Sequence, residues 1–336
     1  DMMRARHAEK KDRKQFVSLD QARANGWSKT SEDYIPPKPV LEGVKVFNDY
    51  DLETLVSYID WTPFFMTWEL AGRYPAILKD EVVGEHATEL FDDAKALLKR
   101  IVDEKLLEAR AVIGIFPASR EGDDVIIWQD ENRNAERTRL HFMRQQNKKA
   151  AGQPNRCLAD FVSVEKPDWI GSFAVTAGFN IEKTLKVFEL DNDDYQSILL
   201  KALADRLAEA FAEHMHERVR KEFWAYAPEI LDNESLISEK YKGIRPAPGY
   251  PACPDHTEKA TLWNLMDVET EIGIKLTESY AMYPAASVSG WYFSHPDSTY
   301  FGVGKIAKDQ VDDLALRKGL ALPEMERWLK PVLNYD

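Results

Sequence analysis

Two cysteines in 336 residues are too few for a disulfide framework, and Cys157 and Cys253 stand far apart in the chain. Two thiols alone make no structural zinc site either. A reducing cytoplasm is the simplest setting. No apolar run reaches the roughly 18 residues that a membrane-spanning helix needs. The first residues, DMMRARHAEKKDRK, lack the apolar centre of a signal peptide. An opening on Asp1 points to a piece of a longer polypeptide. Basic charge is outnumbered by acidic. Lys and Arg number 44 against 57 Asp and Glu, a net charge of −13 that repels nucleic acid and anionic membrane. There is no GxGxxG after a strand, no P-loop, no GxSxG elbow and no HExxH. Repeats and low-complexity tracts are missing too. Nothing nominates a nucleophile, and most carboxylates fall on solvated helix faces.

Proline, by contrast, is concentrated. Ile244 to Lys259 reads IRPAPGYPACPDHTEK, in which Arg245, Ala247, Tyr250 and Cys253 each precede a proline. Each proline fixes its own φ and pushes the residue before it toward extended geometry. A helix or a central sheet strand is excluded. What remains is a stiff ribbon with Gly249 as its permissive joint. Its backbone N–H and C=O groups need partners. A planar heteroaromatic ligand is one partner, with Arg245 gripping a carboxylate; a plain surface crossover is the alternative. Asp255 and Glu258 form a capping pair for a helix over Thr257–Glu271. Cys253 reads as packing.

The composition, 44% hydrophobic with 11% aromatic, supports a packed core in one large domain or two. Residues 1–45 read as a tether, extended at IPPKP, with a short amphipathic helix over Val17–Trp27 lying against the body. A single domain is expected over 46–336. In IDWTPFFMTWEL, Asp60 is the lone carboxylate of an apolar run up to Glu69, and either caps the helix starting near Pro63 or meets a ligand. Periodicity predicts a helix over Glu85–Arg110 and strands over Ala111–Phe116, Val125–Trp128, Leu140–Met143, Leu158–Val162 and Trp169–Val175. Residues 181–224 read as helical. There Leu199, Leu203, Leu207, Phe211, Met215, Val219 and Phe223 repeat every fourth residue and face the sheet. His214 and His216 are two apart, cannot share a helical face, and read as surface or packing residues. Strands over Ser287–Ser294 and Tyr300–Ile306 and helices over 308–318 and 323–330 complete an α+β reading.

Four long stretches then match one family in its order. YIDWTPFFMTWELAGRYP at 58–75, KALADRLAEAFAEHMHERVRK at 201–221, RPAPGYPACPDHTEK at 245–259 and SVSGWYFSHPDSTYF at 287–301 closely resemble the C-terminal activation domain of cobalamin-dependent methionine synthase. The similarity runs from about residue 20 to the end. The resemblance implies a curved antiparallel sheet flanked by helices, unlike the doubly wound methyltransferase fold. It also implies binding of S-adenosylmethionine. In that family cob(I)alamin is occasionally oxidised to cob(II)alamin. An electron from reduced flavodoxin and a methyl group from S-adenosylmethionine then restore methylcobalamin. Cobalamin is held mainly by a neighbouring module of the same polypeptide, and zinc belongs to the homocysteine module.

Carried over by position, Arg245 matches the grip on the ligand carboxylate, and the backbone of Ala247, Gly249 and Tyr250 matches the ribbon that reads the adenine. Asp60 matches the acid that receives the α-ammonium. Tyr300 and Phe301 match an aromatic pair at the ligand, and Glu209 and Glu239 match acidic residues nearby. Methyl transfer to so strong a nucleophile as cob(I)alamin needs no general base, so binding residues and no catalytic ones are expected, in a monomer. An acidic flavodoxin requires a basic patch, for which Arg218, Arg220 and Lys221 or the lysines of the tether are candidates. Two other readings remain: a docking module without a small ligand, and a self-sufficient methyltransferase with its own acceptor.

Overall fold

A computed structural model describes residues 15–27 and 34–335. Helix α1 (Leu19–Ala24) opens on a capping box. The Ser18 hydroxyl accepts the Gln21 N–H, and the Gln21 side chain accepts the Ser18 N–H. Leu19, Ala22 and Trp27 are buried, so this helix does lie against the body. Of the stretch expected as a tether, residues 1–14 and 28–33 lie outside the described residues. Elsewhere it runs along the body: Pro36 and Pro39 are buried, and the Pro37 carbonyl accepts the Trp224 indole N–H at 2.8 Å.

Strand β1 (Gly43–Tyr50) leads into two short helices, α2 (Leu52–Val56) and α3 (Thr62–Thr67). Pro63 sits in the first turn of α3, where a missing N–H is harmless. Helix α4 (Gly84–Asp103) stops short of the expected Arg110. Lys105 adopts φ +51°, and the Leu106 N–H turns back onto the Ile101 carbonyl at 3.1 Å, which is a left-handed helix stop. The chain then enters β2 (Glu108–Glu121), β3 (Asp124–Trp128), β4 (Glu136–His141) and β5 (Asp168–Phe179). The strand expected over Leu158–Val162 is instead a 3-10 turn over Leu158–Phe161. Asp160 accepts the Cys157 N–H at 2.9 Å and is itself held by Arg144, so the chain curls toward that guanidinium.

Helices α5 (Ile181–Leu190) and α6 (Asp194–Arg218) follow, and α6 runs on into a π turn, Val219–Phe223. The expected row from Leu199 to Phe223 is buried throughout. After α7 (Asn233–Ile237) and the proline ribbon, the helix expected over Thr257–Glu271 is cut in two. Asp267 at φ +50° separates α8 (Glu258–Met266) from α9 (Val268–Ile272). A two-residue pair, β6 (Lys275–Leu276) and β7 (Met282–Tyr283), precedes β8 (Ser287–Tyr292). No strand forms over Tyr300–Ile306. The Val303 N–H is taken by the Pro251 carbonyl and the Ile306 N–H by the Val332 carbonyl, each at 2.8 Å. Helices α10 (Lys308–Lys318) and α11 (Leu322–Leu329) close the chain.

The main sheet is antiparallel, in the order β4-β3-β2-β5-β8. β2 is long enough to serve two neighbours on one edge: β1 along Ala109–Ile115 and β3 along Ala118–Glu121. Alternation divides its side chains. Ala109, Ala111, Ile113 and Ile115 join the core under α4 and α6, whereas Val112, Phe116 and Ala118 join a second core with Leu262, Leu265 and Met266 of α8. Helices therefore cover both faces, as the α+β expectation required.

Candidate functional site

The ribbon begins as an extra pairing partner for β8. Ile244 and Phe293 exchange backbone hydrogen bonds of 3.1 and 3.0 Å, and the Trp291 N–H donates to the Pro246 carbonyl at 2.9 Å. Pro246 has no N–H to return, so pairing ends and the chain peels away. It then folds into tight turns. The Gly249 N–H donates to the Cys253 carbonyl at 2.7 Å, the Tyr250 N–H to the Ala247 carbonyl at 3.2 Å, and the Cys253 N–H to the Tyr250 carbonyl at 2.9 Å. Gly249 sits at φ +94°, and a Cβ there would collide with the His256 ring. Downstream, Asp255 accepts the Thr257 N–H at 2.8 Å. Glu258 does not complete the expected reciprocal cap. Both carboxylates instead hold the Lys318 ammonium, with all three side chains buried.

Arg245 projects from the start of this ribbon. Its backbone N–H donates to the Tyr300 hydroxyl at 3.0 Å. Its Nη1 donates to Glu213 Oε2 at 2.5 Å and to the Tyr241 hydroxyl at 3.0 Å. Among the described residues, no acceptor is hydrogen-bonded to Nε or Nη2. Half of the guanidinium fork is thus free to take a planar anion. Burial draws the Arg245 pKa down, but Glu213, Tyr241 and Tyr300 outweigh it and hold the charge on.

The other candidate residues distribute as follows. Glu209 and Glu239 both sense Arg245; burial pushes each carboxyl above its ordinary value, and the guanidinium opposes this. Glu239 stands at φ +53°. Burial likewise raises the Tyr300 phenol. Tyr250 is 60% exposed, and partial burial, then Glu209, raises its phenol. The Phe301 ring turns into the apolar interior, 6.4 Å from that of Phe161. Asp60 stands on another segment, where Oδ1 accepts the Thr62 N–H at 2.9 Å at the head of α3. That segment reaches α6 through the Tyr58 hydroxyl, which donates to Glu217. Glu209, Glu213 and Glu217 are spaced by four and share one face of α6, so the Tyr58 and Arg245 contacts fall on one helix face. Glu213 and Tyr241 were not read from the sequence. The row of three glutamates was the available signal for the first.

The basic patch expected at Arg218, Arg220 and Lys221 does not exist as such. Arg218 pairs with Glu222, Lys221 with Glu217, and Arg220 is 1% exposed beneath the Tyr241 ring. A helix end rich in aromatics and glutamates has absorbed the charges. Of the tether lysines, Lys10, Lys11, Lys14 and Lys29 lie outside the described residues, Lys38 pairs with Glu131, and Lys45 lies over the Phe47 and Phe223 rings. His216 is a packing residue. It stacks on Tyr292 at 5.3 Å and meets Tyr241 edge-on.

Two expected results follow here. Gly243, just ahead of Arg245, lies at φ +84°, and a Cβ there would approach the Phe293 carbonyl oxygen to 2.7 Å and strike the Tyr226 hydroxyl. Gly243→Ala should therefore lower stability by more than the about 1–3 kcal/mol of left-handed strain alone; urea denaturation measures it. The second concerns pH. Burial, then Arg245 and Arg220, hold the His216 pKa well below 6.5. Below 6.5 the unfolded chain binds a proton that the folded chain refuses. The stability contribution of His216 is thus complete above pH 6.5 and is lost as pH falls. As pH falls from 7.5 to 5.5, His216→Gln should gain stability relative to the wild type, because glutamine does not titrate.

The family pattern described as vitamin B12-dependent methionine synthase, activation domain, matches residues 51–319. That is most of the chain. The protein belongs to this activation-domain family. A crystal structure of the MetH reactivation domain bound to AdoHcy is similar at 56% sequence identity with a TM-score of 0.93, covering 96% of this chain and 99% of that one. The antiparallel sheet with its helices is thus the fold of the reactivation domain.

Proposed function

We propose that this activation domain binds S-adenosylmethionine between the proline ribbon and α6, and supports the reductive methylation of cob(II)alamin that returns methionine synthase to work. The observation that carries the reading is the half-used fork of Arg245: Nη1 is committed to Glu213 and Tyr241, while Nε and Nη2 have no protein acceptor among the described residues. The similar domain's complex with AdoHcy, an amino-acid nucleoside bearing a carboxylate, supports it. Arg245 would take that carboxylate, Asp60 the α-ammonium, and the backbone of Ala247, Gly249 and Tyr250 the adenine. Tyr300 would supply an aromatic face to the sulfonium, worth about 0.5–2 kcal/mol. Glu209 and Glu239 would add negative potential beside that cation. Phe301, with its ring turned inward, would contribute backbone contacts.

When bound, cobalamin supplies the methyl-accepting cobalt. The domain's own residues place the donor over it and exclude water; no acid or base on this chain is needed. Cobalamin would be held mainly by the neighbouring module of the polypeptide, and flavodoxin would deliver the electron, in a cytoplasmic, monomeric setting. Residues 46–336 would form the binding domain.

Titration calorimetry with S-adenosylmethionine should show saturable one-to-one binding. Asp60→Asn keeps an oxygen for the Thr62 N–H, so stability should hold while affinity falls about tenfold for a lost charge-assisted bond. A folded wild type that binds nothing, with or without the cobalamin module added, would favour a ligand-free docking domain.

A further inference from the structure

The Arg245 side chain has many rotamers in water, and a grip on a carboxylate requires one of them. The surroundings hold its end at one nitrogen and pin its backbone. The Tyr300 hydroxyl holds the backbone N–H, the Tyr241 hydroxyl accepts from Nη1, and Glu213 Oε2 accepts from the same nitrogen. Glu213 is the charged member of this set and is itself buried on α6. Its second oxygen, Oε1, is buried without a hydrogen-bond partner, so the carboxylate has no competing attachment among the described residues. The contact also occupies only one corner of the guanidinium. A carboxylate bonded to Nη1 alone leaves the Nε–Nη2 edge without a protein acceptor among the described residues, and that is the edge a bidentate ligand needs.

From this geometry we infer that Glu213 is a positioning residue for ligand recognition: it touches no ligand and acts by presenting the free edge of Arg245. The inference rests on the S-adenosylmethionine reading above and adds a residue that sets specificity for carboxylate-bearing nucleosides. Glu213 then matters only while Arg245 is present. That dependence separates positioning from general support of the fold.

The test is a double-mutant cycle on the domain, read by titration calorimetry with S-adenosylhomocysteine, with urea denaturation of each variant alongside. Glu213→Ala in the wild-type background should weaken binding about tenfold, and Glu213→Gln, which still offers an oxygen to Nη1, should recover most of it. In the Arg245→Ala background, Glu213→Ala should cause no further loss of affinity. Stability should move the other way there, since removing Glu213 relieves a buried carboxylate left unpaired. Equal losses in both backgrounds, or no loss from Glu213→Ala alone, would overturn the positioning role while leaving the ligand reading in place. A folded wild type that does not bind S-adenosylhomocysteine would overturn both.

Discussion

Arg144→Met should lower the stability of the fold by about 3–5 kcal/mol, the effect of leaving buried charges without their partner. Arg144 is 1% exposed. Its Nη1 and Nη2 take the two oxygens of Asp160 at 2.9 and 2.7 Å, and Nε and Nη2 share Asp123 Oδ1 at 2.8 and 2.6 Å. Nη1 also donates to the Asn155 carbonyl at 2.6 Å. Methionine fills much of the volume and satisfies none of this. The damage should spread, because Asp123 also holds Arg23 of α1, and Arg23 holds Asp313 of α10. The same change made together with Asp123→Asn and Asp160→Asn should be milder than Arg144→Met alone, since the two buried carboxylates, which Arg144→Met leaves with only the part-exposed Arg23 and Arg120, then carry no charge. Urea denaturation of the two variants checks both statements. Burial drives the Asp123 carboxyl upward, but Arg144 and Arg23 hold it below its ordinary 3.8. This contribution is thus present above pH 3.8 and is lost as pH falls through the folded value.

Arg245→Ala should weaken S-adenosylmethionine binding by about 2–4 kcal/mol, or roughly 30- to 1,000-fold, by removing up to two charge-assisted bonds to the ligand carboxylate. Arg245→Lys is the sharper variant. Lysine keeps the charge beside Glu213 but presents a point rather than a fork. It should restore less than half of the lost free energy. Full recovery by lysine would mean that charge alone, and not the planar edge, recognises the ligand. Titration calorimetry across the three proteins decides between these outcomes.

Some of this arrangement could be read from residue order alone. The row from Leu199 to Phe223 was legible because burial of one helical face imposes a spacing that nearby sequence displays. The ribbon was legible because proline acts on its own and the preceding residue. The failures share a different cause. Lys105 and Asp267 end helices through left-handed backbone that lysine and aspartate do not announce. Leu158–Phe161 looked like a strand because its apolar run says nothing of Asp160, whose partner Arg144 is 16 residues away. Tyr300–Ile306 reads as a strand, yet the Pro251 carbonyl takes its hydrogen bond from Val303. Arg245 was found on the ribbon, but its partner Glu213 lies 32 residues earlier on a helix whose other glutamates looked alike. Periodicity reports local faces, whereas long-range pairing requires the fold.

Helix α10 gathers distant parts of the chain. Lys318 fastens Asp255 and Glu258 at the ribbon's far end, Arg317 bonds Asp124 of β3, and Asp309 accepts the Leu19 N–H of α1. During synthesis the ribbon is made more than fifty residues before Lys318. Until that helix has been made and has docked, Asp255 and Glu258 have no cation between them. A ribosome-bound chain stalled before α10 should therefore carry the proline ribbon without its anchor. The ligand site proposed at this ribbon is thus among the last features to mature, however early its own residues are translated.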